Sequence, residues 1–293
     1  MAQKVPSLSA VRLTNGIGNK ERGATAADNL PSLQDAVRRA NWRNEIHCYL
    51  HILIGLYSAT QSRWAKVKEA LDRANAAITD STNSIIGLLA LYLSGVYAQG
   101  TGNLDGAMSI FSDAQFDMQD EQRSLRLDIS LLAIMNRLWI MEHPRFRDTA
   151  ASTRLFERIR PLCQDHHDVE IRTAYNIILA TATLQPPPAL QQVKNSMYTA
   201  LNSSKMAGNT HFLAISLNIM RCRLFENVVG EQALKSAKAA STQAKRNGNL
   251  LWMSVADGML AHSHEVQGQG DVARAANASG AGFAARALCS TNP

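Results

Sequence analysis

Apolar residues along the chain recur with the spacing of helix faces, not with the alternation of strands. SIIGLLALYLSGVYAQG, residues 84–100, is rich in Leu and Ala and runs for about four helical turns, longer than a buried strand. Residues 125–142, 149–163, 168–184 and 189–206 read as helices by the same pattern. Gly and Pro fall mostly between these segments, at Gly102, Gly106, Pro144, Pro161, Pro186–Pro188, Gly208, Gly230, Gly248, Gly268 and Gly270, and predict helix ends. The glycines of YAQGTGNLDGAMSIF, residues 97–111, could suggest a phosphate loop. Such a loop needs a strand before it and, in its commonest form, a GK[ST] after it, and neither is present. Gly100 and Gly102 are therefore expected to end one helix, with Asn103 or Asp105 starting the next.

The turn belongs to a repeat. In a tetratricopeptide pair, small residues sit where two antiparallel helices touch and a large apolar residue fills the gap to the next pair. Gly95 takes the small position of a first helix, and Ala107, Phe111 and Ala114 supply a small, aromatic, small series expected in the second. The same offsets join Gly55 to Val67, Leu71 and Ala74, Arg221 to Ala233, Ala237 and Ala240, and Ala261 to Ala273, Asn277 and Gly280. A period of about 40, longer than the usual 34, implies about six pairs, and HEAT-like pairs fit that period as well. The expectation is an all-α, TPR-like α-solenoid over residues 32–289, preceded by a disordered arm over residues 1–31, where Ser, Thr, Asn, Gly and Ala mix with little periodicity.

Composition agrees with close helix packing: 46% of the chain is hydrophobic and only 6% aromatic. The formal net charge of +6 is unevenly placed, since residues 1–43 carry seven Lys or Arg against three acids and the remainder is near neutral. Lys235, Lys238, Lys245 and Arg246 form a short basic run without interleaved aromatics, which reads as a solvated helix face and argues against direct DNA binding. Salt-dependent nucleic-acid contact is left to the arm. No apolar stretch of signal-peptide kind opens the chain, and the longest apolar run, 85–93, is too short for a bilayer, so no membrane partner is expected. Cys48, Cys163, Cys222 and Cys289 are widely separated without a CxxC, as in a reducing compartment.

Catalytic chemistry finds little support. His47 and His51 share a helix face and could hold a metal, but Cys48 stands where a zinc protease needs glutamate, and packing explains the pair as well. His166 and His167 lie beside Asp165 and Asp168 at an expected helix start, and His262 and His264 point to different helix faces. No nucleophile elbow accompanies them. The sequence predicts no enzyme, no cofactor, no metal and no small-molecule substrate. It predicts a scaffold that binds another chain along its first helices, where counting from the small positions places Tyr92, Gln99, Asn218, Phe225 and His262. Tyr92 and Phe225 also suit packing between repeats, whereas the amides of Gln99 and Asn218 can bond a peptide backbone as donor and acceptor.

LLALYLSGVYAQGTGNLDGAMSIF, residues 88–111, resembles the repeat of the Mau-type cohesin-loading factor, the tetratricopeptide subunit of the cohesin loader. NIMRCRLFENVVGEQALKSAKAASTQAKRNGNLLWMSVADGMLAHSHEVQGQGDVARAA, residues 218–276, is similar to the C-terminal part of that family's fungal members. The resemblance covers residues 42–288 and corresponds to the family's C-terminal half. It implies a nuclear scaffold that binds the N-terminal segment of the large adherin (Nipped-B-type) subunit and supports cohesin loading on chromatin for sister chromatid cohesion. A generic TPR interaction module of a regulatory or signalling protein is the alternative, with a metal enzyme using His47 and His51 the remaining rival. A chain lacking earlier repeats is expected to expose an apolar face near residues 42–60 and to aggregate.

Overall fold

The computed structural model describes residues 29–79, 82–118, 124–224 and 230–289. Among them are twelve α-helices, two short 3-10 turns and no strand. The helices are α1 (Asn29–Ala59), α2 (Trp64–Ala77), α3 (Ser84–Gly100), α4 (Leu104–Phe111), α5 (Leu125–Ile140) and α6 (Thr149–Cys163), followed by α7 (Val169–Thr181), α8 (Leu190–Ala207), α9 (Thr210–Leu224), α10 (Glu231–Asn247), α11 (Leu250–Val266) and α12 (Gly270–Cys289). The fold is an all-α solenoid in which the twelve helices form six pairs. The chain divides into two compact units, residues 1–41 and 42–293. The described part of the first is the opening stretch of α1, where Arg38 pairs with Asp35 at 3.8 Å on an exposed surface. Most of the arm expected over residues 1–31 lies outside the described residues; α1 begins at Asn29.

Helix boundaries in the second unit follow local chemistry. Side-chain oxygens of Asn83, Asn103, Ser124, Asp148, Asp168 and Asn249 accept from backbone N–H groups of the first turns of α3, α4, α5, α6, α7 and α11. Gly208 and Gly248 end α8 and α10 in the left-handed conformation, with φ of +67° and +76°. Pro161 departs from the helix end expected there and sits in the last turn of α6. Ala114 departs too. The second helix of its pair stops at Phe111, and Ala114 begins a separate 3-10 turn, Ala114–Phe116, exposed to solvent. Asp113 caps that turn by accepting from Gln115 N at 2.8 Å, and Phe116, not Ala114, turns inward.

The small positions act through contact. A Cβ on Gly95 would come within 2.5 Å of the Phe111 ring, one on Gly55 within 2.5 Å of Leu93, and one on Gly100 within 2.0 Å of Trp64. Cys48, Ile52, Trp64, Val67 and Leu71 pack with Ala90 and Leu93 of the next pair. Leu88, Ala107 and Phe111 pack with Ile129 and Ala133 of the third pair, and Leu131, Leu138, Phe156 and Ile159 with Ile171 and Tyr175 of the fourth. Each buried aromatic or Leu side chain contributes about 1.5–3 kcal/mol on removal from water. Asn277, at the large position of the last pair, is exposed, while Ala273 and Gly280 at the two small positions are buried.

Polar contacts repeat with the same period. Glu45 accepts from Asn83 N (2.9 Å), Asp105 pairs with Arg145 (2.9 Å), and Glu142 accepts from Thr183 N (2.6 Å) and Thr183 Oγ1 (2.7 Å). Glu170 accepts from Asn209 Nδ2 at 2.8 Å. His166 is buried with Nε2 3.1 Å from Asp128 Oδ1, while its Nδ1 accepts from Asp168 N. Successive first helices pack on one another, α3 on α5, α5 on α7, α7 on α9 and α9 on α11, and successive second helices make no comparable contact among the described residues. The array of the second unit therefore bends toward its first helices.

Candidate partner-binding face

The first helices α3, α5, α7, α9 and α11 form a continuous row, and their polar side chains decide what it can bind. Tyr92 of α3 is half-buried against Phe111, and its hydroxyl accepts from Asn136 Nδ2 of α5 at 3.1 Å. Burial pushes its pKa up to about 12, against the opposing effect of the Asn136 bond, so it stays a neutral phenol. Gln99 lies half-buried near the end of α3. Asn218 of α9 has no exposed surface; its Nδ2 donates to Ala214 O at 2.8 Å, and Oδ1 meets no partner among the described residues. His262 of α11 is exposed. Phe225 lies outside the described residues. Tyr92 and Gln99 thus share one helix, and α5 and α7 stand between them and Asn218.

A row of amides escaped the reading from small positions. Asn136 of α5 and Asn176 of α7 hold half-buried places one repeat apart, and Asn218 follows one repeat later on α9. In each, Nδ2 donates to the carbonyl four residues back, at Leu132 (2.9 Å), Arg172 (2.8 Å) and Ala214 (2.8 Å). That bond fixes the rotamer and leaves Oδ1 as the acceptor. The signal was in the sequence, as asparagine recurring at the repeat period. Arg223 of α9 reaches back to α7, donating to Thr181 O (3.0 Å) and Ala180 O (3.4 Å). Arg221, in the small position of α9, is buried and donates to Ser263 Oγ of α11 at 3.1 Å.

At the far end Asp257 is buried, accepting from Ser241 Oγ (2.5 Å) and Ser279 Oγ (2.7 Å) and pairing with Lys245 Nζ at 2.9 Å. Burial alone would raise its pKa, but these donors and the lysine charge outweigh it and hold the carboxyl below its usual value. The group ties α10, α11 and α12 together. His47 and His51 stand edge to face with ring centres 5.4 Å apart. Among the described residues no group of three or more His, Cys, Asp or Glu side chains is placed to hold a metal ion. Burial pushes the Cys163 thiol up to about 12, which keeps it protonated and unreactive. No helix among the described residues is long and apolar enough to cross a membrane.

Along the row, half-buried Asn136 and Asn176 keep Oδ1 as an acceptor, whereas Asn218 and Arg221 are buried and Arg223 is bonded to α7. Comparison with known proteins adds one match: residues 11–271 fit the family model described as cohesin loading factor. No curated protein and no solved structure matches.

Proposed function

This chain belongs to the cohesin loading factor family, with a role in cohesin loading, and we propose that it serves there as a non-enzymatic scaffold in the nucleus. Its partner is the extended N-terminal segment of the large adherin subunit, held along the first helices, and the pair supports cohesin loading on chromatin for sister chromatid cohesion. The observation that carries the reading is the family match along nearly the whole repeat array, whose first helices α5, α7 and α9 hold amides at one register. Asn136, Asn176 and Gln99 are the polar contacts, with His262 at the far end; Tyr92 joins α3 to α5 through Asn136, and Asn218 is buried within α9. An extended chain advances about 3.3 Å per residue and neighbouring helices lie 8–10 Å apart, so such a segment meets a new first helix about every three residues.

The test is fluorescence anisotropy of a labelled adherin N-terminal segment titrated with the purified chain, with a scrambled peptide and a DNA duplex as controls. Saturable binding of the native segment alone is expected. A folded, helical sample that leaves the segment free would overturn the partner assignment and favour a tetratricopeptide module with another partner.

A further inference from the structure

In a helical-repeat array each pair touches its sequence neighbours, so contacts advance one pair at a time. The apolar clusters obey this: Cys48, Ile52 and Val67 pack with α3, while Leu217, Ala240 and Ala256 pack among α9, α10 and α11. A small set of polar contacts does not. Asn249 Nδ2 donates to Thr60 O at 2.7 Å, Asn247 Nδ2 donates to the same oxygen at 3.2 Å, and Ser62 Oγ donates to Asn249 Oδ1 at 3.0 Å. The turn between α1 and α2 is thereby bonded to the turn between α10 and α11, across the intervening pairs.

Two observations separate this junction from ordinary packing. Among the described residues none of the hydrophobic clusters spans it: the cluster holding α1 and α2 ends at α3, and the cluster around Ala244 and Ala256 starts at Leu201. Three side-chain hydrogen bonds join the two turns among the described residues, all between neutral groups that can bond water instead on opening. The turn also has an uncommon backbone conformation. Ser62 carries a φ of +56°, the one positive φ at a residue other than glycine among those described, and its side chain is 1% exposed. Asn249, 3% exposed, is used on every side, since its Oδ1 also accepts from Trp252 N to cap α11. Thr210 Oγ1 of α9 donates to Asn247 Oδ1 at 3.1 Å and so orients the second amide.

We propose that this junction is a latch. Closed, it joins the first pair to the fifth and sixth in a loop of contacts around the row α3, α5, α7 and α9. Open, it lets an extended chain enter that row from the side without threading its end. The occupant rests on the proposed function above; the latch does not.

The experiment uses the full chain with Cys222→Ser and Cys289→Ser, and spin labels on Ala65→Cys in α2 and Arg246→Cys in α10, both exposed positions. Electron–electron distance measurement without any partner should give one narrow population. Asn247→Ala with Asn249→Asp removes both donors to Thr60 O while keeping an oxygen to cap α11, and should add a longer, broad population with helicity unchanged. Ser62→Ala, a milder change, should do so to a smaller extent. Loss of one such bond shifts the opening equilibrium by about tenfold at most. A broad distribution in the parent chain, or an unchanged one in both variants with helicity kept, overturns the latch. In a second arm the labelled adherin segment should associate and dissociate faster with the variants; equal rates overturn the gating role. Failure of the segment to bind the parent chain overturns the partner and leaves the distance result standing.

Discussion

His211 illustrates how a single side chain can couple this junction to pH. It lies beside Asn247, with Nδ1 3.5 Å from Nδ2, and burial pulls its pKa from 6.5 to about 4. Between those values the unfolded chain takes up a proton that the folded one refuses. Stability from this residue is therefore complete above about pH 6.5 and is lost as pH falls toward 4. Urea titrations at pH 7 and pH 4.5 should show the parent chain losing more stability than His211→Gln, by up to about 3 kcal/mol. Equal losses would mean that the ring is solvated. Asn218 shows why burial at this scale escapes a reading of spacing. Its distance from the small position gives the correct helix, but α9 is packed on both sides by α7 and α11, and Arg221 bridges to Ser263. Which side chains a neighbouring helix covers depends on residues forty positions away.

At the scale of the element, the contact of Gly95 with Phe111 is where helix propensity and packing oppose each other. Alanine is better than glycine in a helix by about 1 kcal/mol, yet a Cβ at Gly95 meets the ring at 2.5 Å. Overpacking of this kind costs about 1–3 kcal/mol, so Gly95→Ala should lower stability in denaturant titration despite its propensity. A gain would show that Phe111 can swing aside. The helices themselves were legible: α6 spans residues 149–163 as expected, α5 and α8 differ by a residue or two at their ends, and Asp168 caps α7. The failures have local causes. Ala114 was placed by extrapolating the repeat, but Asp113 captures Gln115 N and turns the chain before another helical turn can form. Pro161 lies late in α6, and although it cannot donate the bond to Glu157 O the helix runs two residues past it, to Cys163.

For the molecule as a whole, register explains the exposed side of α1. Leu93 and Ala90 of α3 are buried against the first pair, whereas Leu53 and Leu50, one repeat earlier on α1, are 42% and 49% exposed, and Tyr57 is 66% exposed. This is the apolar face expected near residues 42–60. Leu53→Glu with Tyr57→Ser should abolish concentration-dependent association in sedimentation velocity and leave Tm nearly unchanged, as for most surface changes. Association that persists would place the sticky surface elsewhere. The all-α architecture and its period were readable because each pair is specified by its own residues and its neighbours'. The bond from Asn249 to Thr60 was not, because it joins positions 189 residues apart. That separation also sets an order of assembly. Contacts between adjacent pairs close short loops and form early, whereas joining the two distant turns must await the placement of everything between them and carries the largest loop-closure entropy. The junction should be the last part of the chain to acquire its native contacts during folding and among the first to exchange its amide hydrogens in the native state.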